Sequence, residues 1–145
     1  MTDALVQFLR ARLDEDEQTA RAAAALCGCH PEAPSWEFHD GDGEDDGRIH
    51  VVGDPHPVQL GKRRRLARRW NRSYDGLFAA KHIARHDPSR VLAEVDAKRQ
   101  AIDACETFLH DSEDGTDPCA ATVLCALALP YADHPDYRQE WSRDS

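Results

Sequence analysis

Large aliphatic and aromatic core formers are scarce in this chain of 145 residues: 12 Leu, 7 Val, 3 Ile and 4 Phe, 26 in all, or 18%. Together with a formal charge of -9 and a mean hydropathy of -0.68, this places the composition at the border of intrinsic disorder. A long hydrophobic run is missing, which excludes a membrane-spanning helix and argues against a membrane partner. The opening residues lack a basic stretch followed by an apolar one, so a secreted protein is not expected. The five Cys are odd in number, and the expectation is reduced thiols in a cytoplasmic protein rather than a disulfide framework. A glycine-rich phosphate loop, a GxSxG elbow and a dinucleotide fingerprint are all missing, which removes the commonest nucleotide and acyl-transfer chemistries.

What is present is uneven. Basic residues are 15 Arg against 3 Lys, beside 21 Ala and a single Asn, Asn71. That bias is what a GC-rich genome gives, and a high-GC bacterium is the expected source. Net charge runs -2 over residues 1–26, -7 over 27–61, +7 over 62–72, -1 over 73–110 and -6 over 111–145. An acidic block is therefore followed directly by a basic one.

The length suits one domain, 1–145, with an acidic turn at 40–47 and a basic segment at 61–72 as its flexible parts. Residues Thr2 to Ala25 read as a helix, with Leu5, Phe8, Leu9 and Leu13 on one face, Arg12 beside them, and Asp14 to Glu17 as the solvated side. Short strands are predicted at Ser35–Phe38 and Arg48–Val52, joined as a hairpin. A helix from Tyr74 to about His86 places Leu77, Phe78 and Ile83 as apolar contacts. Asp87-Pro88 then reads as an N-cap followed by proline at the first helical position. From there Val91, Val95, Ile102, Cys105 and Leu109 run at helical spacing to His110. Cys119 to Leu129 is the last helix, with Val123, Leu124, Leu127 and Ala128 apolar, and Tyr131 to Trp141 reads as an extended or turn-rich strap. The fold class is helix-dominated α+β, about three main helices plus a small β-hairpin.

Three stretches together carry a family resemblance: Phe8-Leu9-Arg10-Ala11-Arg12-Leu13-Asp14-Glu15-Asp16, His82-Ile83-Ala84-Arg85-His86-Asp87-Pro88, and Leu127 through Tyr137 (LALPYADHPDY). With them the chain resembles a family of small actinobacterial proteins built on a domain of unknown function. The resemblance marks His82, His86, Asp87, Tyr131, His134, Asp136 and Tyr137 as motif residues and implies no established activity. It also implies, in many relatives, a Cys/His-rich insert that looks like a zinc knuckle between the long helix and the last one. In this chain that segment, Cys105 to Cys119, is poor in ligands.

The basic run comprises Lys62, Arg63, Arg64, Arg65, Arg68, Arg69 and Arg72, with Leu66 and Trp70 inside it. On a helix Leu66 and Trp70 share a face ringed by cations, and Arg with an interleaved Trp suits phosphate contact plus base stacking. The plainer readings are a run folded against the acidic turn at 40–46 or one that simply stays solvated, and the overall negative charge opposes a general attraction to nucleic acid. The acidic turn invites a calcium loop starting at Asp42, with Glu44, Asp46 and Gly47 in place, but Gly53 falls where a bidentate Glu is required. Cys27-x-Cys29-His30 is tighter than structural zinc loops, and Cys105, His110 and Cys119 form the other set of zinc ligands to consider. His82 and His86 stand four apart, but Ile83 occupies the place where a zinc protease needs Glu. The plain reading of His82 is a buried histidine between helices. Asp133, His134 and Asp136 hold acid–base groups in a proline-dense strap, whose simpler task is docking aromatics on a core.

The composite expectation is a non-enzymatic interaction or accessory protein without a cofactor, zinc being the alternative kept. Its partner is another protein or a second copy. A nucleic-acid-associated role through residues 62–72 is the alternative, and a metal-dependent hydrolase a distant third.

Overall fold

A computed structural model describes residues 2–25, 35–39, 48–52, 74–112 and 116–142. The acidic turn, the basic segment with Lys62 to Arg72, the Cys27–His30 cluster and the turn prolines after Gly53 lie outside the described residues. Along the chain run α1 (Thr2–Ala25), β1 (Trp36–His39), β2 (Arg48–Val51), α2 (Tyr74–Arg85), α3 (Pro88–Asp111) and α4 (Pro118–Ala128). Two single-turn 3-10 segments follow, Leu129–Tyr131 and Gln139–Trp141. The protein is helix-dominated α+β. None of the described helices is long and apolar enough to cross a membrane.

The chain divides into two compact units, residues 1–17 with 94–145, and residues 18–93. In the first unit the apolar stripe of α1 is buried as Leu5, Val6, Phe8, Leu9 and Leu13. Val95, Ile102 and Cys105 of α3 join them, with Ala120, Leu124 and Ala128 of α4, and Tyr137 and Trp141 of the tail. Spacings of three, four and seven put each set on one helical face, which is why the helices bury these residues and not their neighbours. Val123, expected on that face, stands exposed instead, since it precedes Leu124 by 100° of helical turn.

Asp14 and Glu15 are exposed, as a solvated side should be, and the run is also ion-paired. Arg99 of α3 reaches Asp14 at 2.6 Å and Glu17 at 2.7 Å. Arg10 answers from α1, 2.9 Å from Asp103 and 2.6 Å from Glu106. The two helices are thus laced by reciprocal ion pairs along the rim of their apolar contact. Exposed pairs of this kind add little stability each, and their value lies in setting which faces meet.

The second unit holds the hairpin. β1 and β2 pair antiparallel in the register Trp36↔Val51, Glu37↔His50, Phe38↔Ile49 and His39↔Arg48. The Val52 N–H extends the ladder by donating to Ser35 O at 2.9 Å. Ile49 and His50 are both buried, one on each face of the ribbon, with Ala20, Ala24 and Ala84 completing the described core. Phe78, predicted as an apolar contact of α2, is 62% exposed, and Ala84 is buried.

Two of the three Asp-Pro dipeptides open helices, and the third, Asp54-Pro55, lies outside the described residues. The Asp87 carboxylate accepts from the Arg90 N–H at 2.7 Å, and Pro88 begins α3. Asp117 does the same for α4, accepting from the Ala120 N–H at 2.7 Å, so that helix begins at Pro118, one residue before its predicted start. Proline at the first helical position loses nothing, because its missing N–H would have had no partner there.

Candidate functional site

The motif residues of the tail converge on one stripe of α1. Phe8, Arg12 and Asp16 are four residues apart and therefore stand one above the other. Against them lie Tyr131, His134, Tyr137 and Trp141. Phe8 is the hub: its ring meets Tyr131, His134 and Tyr137 edge-on at centroid distances of 6.3, 5.7 and 6.0 Å, and Trp141 at 5.0 Å. Tyr137 and Trp141 are themselves T-shaped at 5.6 Å. Such edge contacts set negative ring faces against positive ring edges and fix mutual orientation as well as area.

Arg12 is the polar centre. It is buried, its guanidinium lies 5.5 Å from the centre of the Phe8 ring, and it pairs with Glu15 at 2.9 Å. It also donates to Nε2 of His134. His134 Nδ1 faces the Asp136 amide at 3.1 Å. A neutral imidazole offers one lone pair in its plane, and the charged donor has first claim on it. Two buried donors of the cluster, Arg12 Nε and Trp141 Nε1, have no hydrogen-bond partner among the described residues.

The Tyr131 hydroxyl donates to Asp16 at 2.6 Å, and the Tyr137 hydroxyl lies 3.0 Å from the Ser142 hydroxyl. Burial pushes the Tyr131 phenol well above its ordinary value, and the bond to Asp16 pushes it further. Tyr131 is therefore a fixed donor and not a base. Asp136 is exposed, and its nearer carboxylate oxygen is 3.9 Å from His134 Nδ1. The arrangement docks a tail; it presents no aligned acid, base and nucleophile.

Asp87, His82 and His86 belong to the second unit. Asp87 is buried and holds two donors, the Arg90 N–H of its own cap and the Trp36 N–H of β1 at 3.0 Å. Those bonds anchor the hairpin to the start of α3. His82 is not buried between helices as its sequence context suggests: it and His86 are both exposed, because the inward position of that turn belongs to Ala84. Their rings are 4.4 Å apart.

Of the thiols, Cys105 is buried, Cys125 half-buried and Cys119 exposed, all three free. Burial raises the Cys105 thiol above its usual range, and the nearby Cys119 and Asp117 add to the rise. His110 is exposed near the end of α3. Among the described residues no group of three or more His, Cys, Asp or Glu side chains is placed to hold a metal ion.

Phe8, Arg12 and Asp16 lie in the first motif stretch without having been singled out as site residues, and Trp141 was read only as part of the strap. Their signal was available: the four-residue step from Phe8 through Arg12 to Asp16, matched by the same step from Tyr137 to Trp141. Residues 2–143 match a family profile over nearly the entire chain. The chain belongs to DUF6221, a family of unknown function. No curated protein and no solved structure matches the sequence. In this DUF6221 chain the tail motif thus corresponds to a packing device, with every aromatic and His134 of the motif seated against α1.

Proposed function

We propose that this DUF6221 protein is a non-enzymatic interaction protein of an actinobacterial cytoplasm, working through its surface on another protein or a second copy of itself. The observation that carries the reading is Phe108 of α3, 64% exposed although it is among the largest apolar side chains in a chain that has few. Leu129, in the same unit, is 53% exposed. The polar groups of that unit support the reading from the other side. Arg10, Arg12, Arg99, Asp14, Asp16 and Glu17 are engaged in holding helices and tail together. Covering these side chains on association would remove their apolar area from water.

The test is affinity purification from the native host with mass spectrometry, run in parallel for wild type, Phe108→Asp, and a chain with the basic run neutralised. The reading expects partners lost with Phe108→Asp and kept when the basic run is neutralised. The converse pattern, with nucleic acid recovered, transfers the function to residues 62–72. That second reading is supported by seven cations in eleven residues around Trp70, in a chain otherwise strongly acidic.

A further inference from the structure

We propose that His82 and His86 form a two-imidazole chelate for a borderline transition-metal dication, Ni2+, Zn2+ or Cu2+, at the C-terminal end of α2. The site does not depend on the interaction reading above. The two rings already lie side by side, with centroids 4.4 Å apart and planes inclined by 47°. Both side chains are exposed, so a hydrated ion reaches them without opening the fold. Their spacing is held by the helix end itself: the His86 N–H donates to His82 O at 3.1 Å and to Ile83 O at 3.2 Å. That pins the two residues one turn apart on a common face.

Position and chemistry select the ion. The carbonyl end of a helix carries a partial negative charge and favours a cation. The Arg90 guanidinium, 3.4 Å from the Arg85 carbonyl, adds positive charge at the same end. An ion held by charge alone is opposed there, and the donors are nitrogen, so Ca2+ and Mg2+, which seek oxygen, are disfavoured. Imidazole suits Ni2+, Cu2+ and Zn2+, with Cu2+ bound most tightly. Asp87 follows His86 directly but is not a third ligand. It is buried, and its oxygens accept from the Trp36 and Arg90 amides. Two protein ligands leave the remaining coordination positions open to water or to a ligand from a partner.

The experiment is a Ni2+ titration of the full chain, followed site by site in the imidazole 1H–15N spectrum. Site resolution keeps thiols elsewhere from masking the answer. The expected result is joint paramagnetic loss of the His82 and His86 signals. In His86→Ala the Ni2+ concentration that broadens His82 should rise by at least about tenfold, the lower end of what even outer-shell substitutions around a metal do. Phe78→His combined with His86→Ala rebuilds a pair four apart at 78 and 82, and should restore the wild-type midpoint at His82. Circular dichroism confirms that each variant is folded. Unresponsive His82 and His86 signals would overturn the proposal, as would a wild-type midpoint at His82 in His86→Ala, or a folded double variant that regains nothing.

Discussion

Tyr131 holds its hydroxyl proton because burial and Asp16 both disfavour the phenolate. In the unfolded chain the same group titrates near its ordinary value of about 10. Above that pH the unfolded state sheds a proton that the folded state keeps, so Tyr131's contribution is full below about pH 10 and is lost as the pH rises beyond it. Tyr131→Phe should lower stability near neutrality by about 1 kcal/mol. That is modest for a bond to a charged acceptor, because both partners are half-exposed. It should also flatten the loss of stability above pH 10 relative to wild type. Urea midpoints of both proteins across that range decide it; parallel pH profiles would count against the assigned role. Cys105 and Cys119 give a second contrast at this scale. Thiolate is the reactive form, and burial of Cys105 keeps it protonated and covered while Cys119 stands in solvent. Mass-mapped alkylation of the native chain should label Cys119 well before Cys105, and equal rates would mean that this part of α3 opens readily.

At the scale of elements, the two Asp-Pro caps separate local from tertiary work. Asp117 caps α4 through one bond to Ala120. Asp87 caps α3 and also receives the Trp36 N–H from the hairpin. Loss of a cap costs about 0.5–2 kcal/mol, and a buried donor left without a partner adds about 1–3. Asp87→Ala should therefore destabilise by about 2–4 kcal/mol and Asp117→Ala by about 1, read from chemical denaturation of each. Equal losses would show that the hairpin bond adds nothing. The helices and the hairpin were readable from the sequence, because apolar spacing and Asp-Pro punctuation are local signals. The placement of α1 needed no correction at all. What was not readable depended on partners distant in sequence. The acidic run after Leu13 looks solvated until Arg99 and Tyr131 arrive from 85 and 115 residues away. His82 looks like a core histidine until Ala84 turns out to face inward. The tail reads as a strap from its prolines, but its seat on Phe8 and Arg12 is a tertiary fact. The basic run is an element known from composition alone, and its prediction is electrostatic. If it binds duplex DNA, replacing Arg64, Arg65, Arg68 and Arg69 by Ala should reduce the slope of log affinity against log salt by roughly 3–4. An unchanged slope would exclude those residues from the phosphate contacts.

At the scale of the whole molecule, the scarcity of core formers meets their distribution. The first unit buries Leu5, Val6, Leu9, Leu13, Val95, Ile102 and Leu124 around the Phe8 and Trp141 rings. The second draws its described buried apolar residues from Ile49 and three alanines, Ala20, Ala24 and Ala84. Net stability is a small difference between large terms, so covering further apolar surface on association would add to it. Phe78 and Val52, of that unit, stand 62% and 54% exposed, and Phe108, Leu129 and Val123 are the exposed large apolar residues of the other among the described residues. The apolar area that these side chains leave in water adds nothing to hydrophobic stability, and association would let it contribute by removing it from solvent. Self-association is the simplest such event, and mass action then makes stability depend on concentration. Light scattering across a dilution series should show a falling mean mass, and the thermal midpoint should fall with it. Phe108→Asp and Phe78→Asp, made separately, identify which unit carries the contact: the responsible variant should be monomeric throughout and lose the concentration dependence. A wild-type monomer at every concentration, with an invariant and high midpoint, would remove the self-association branch.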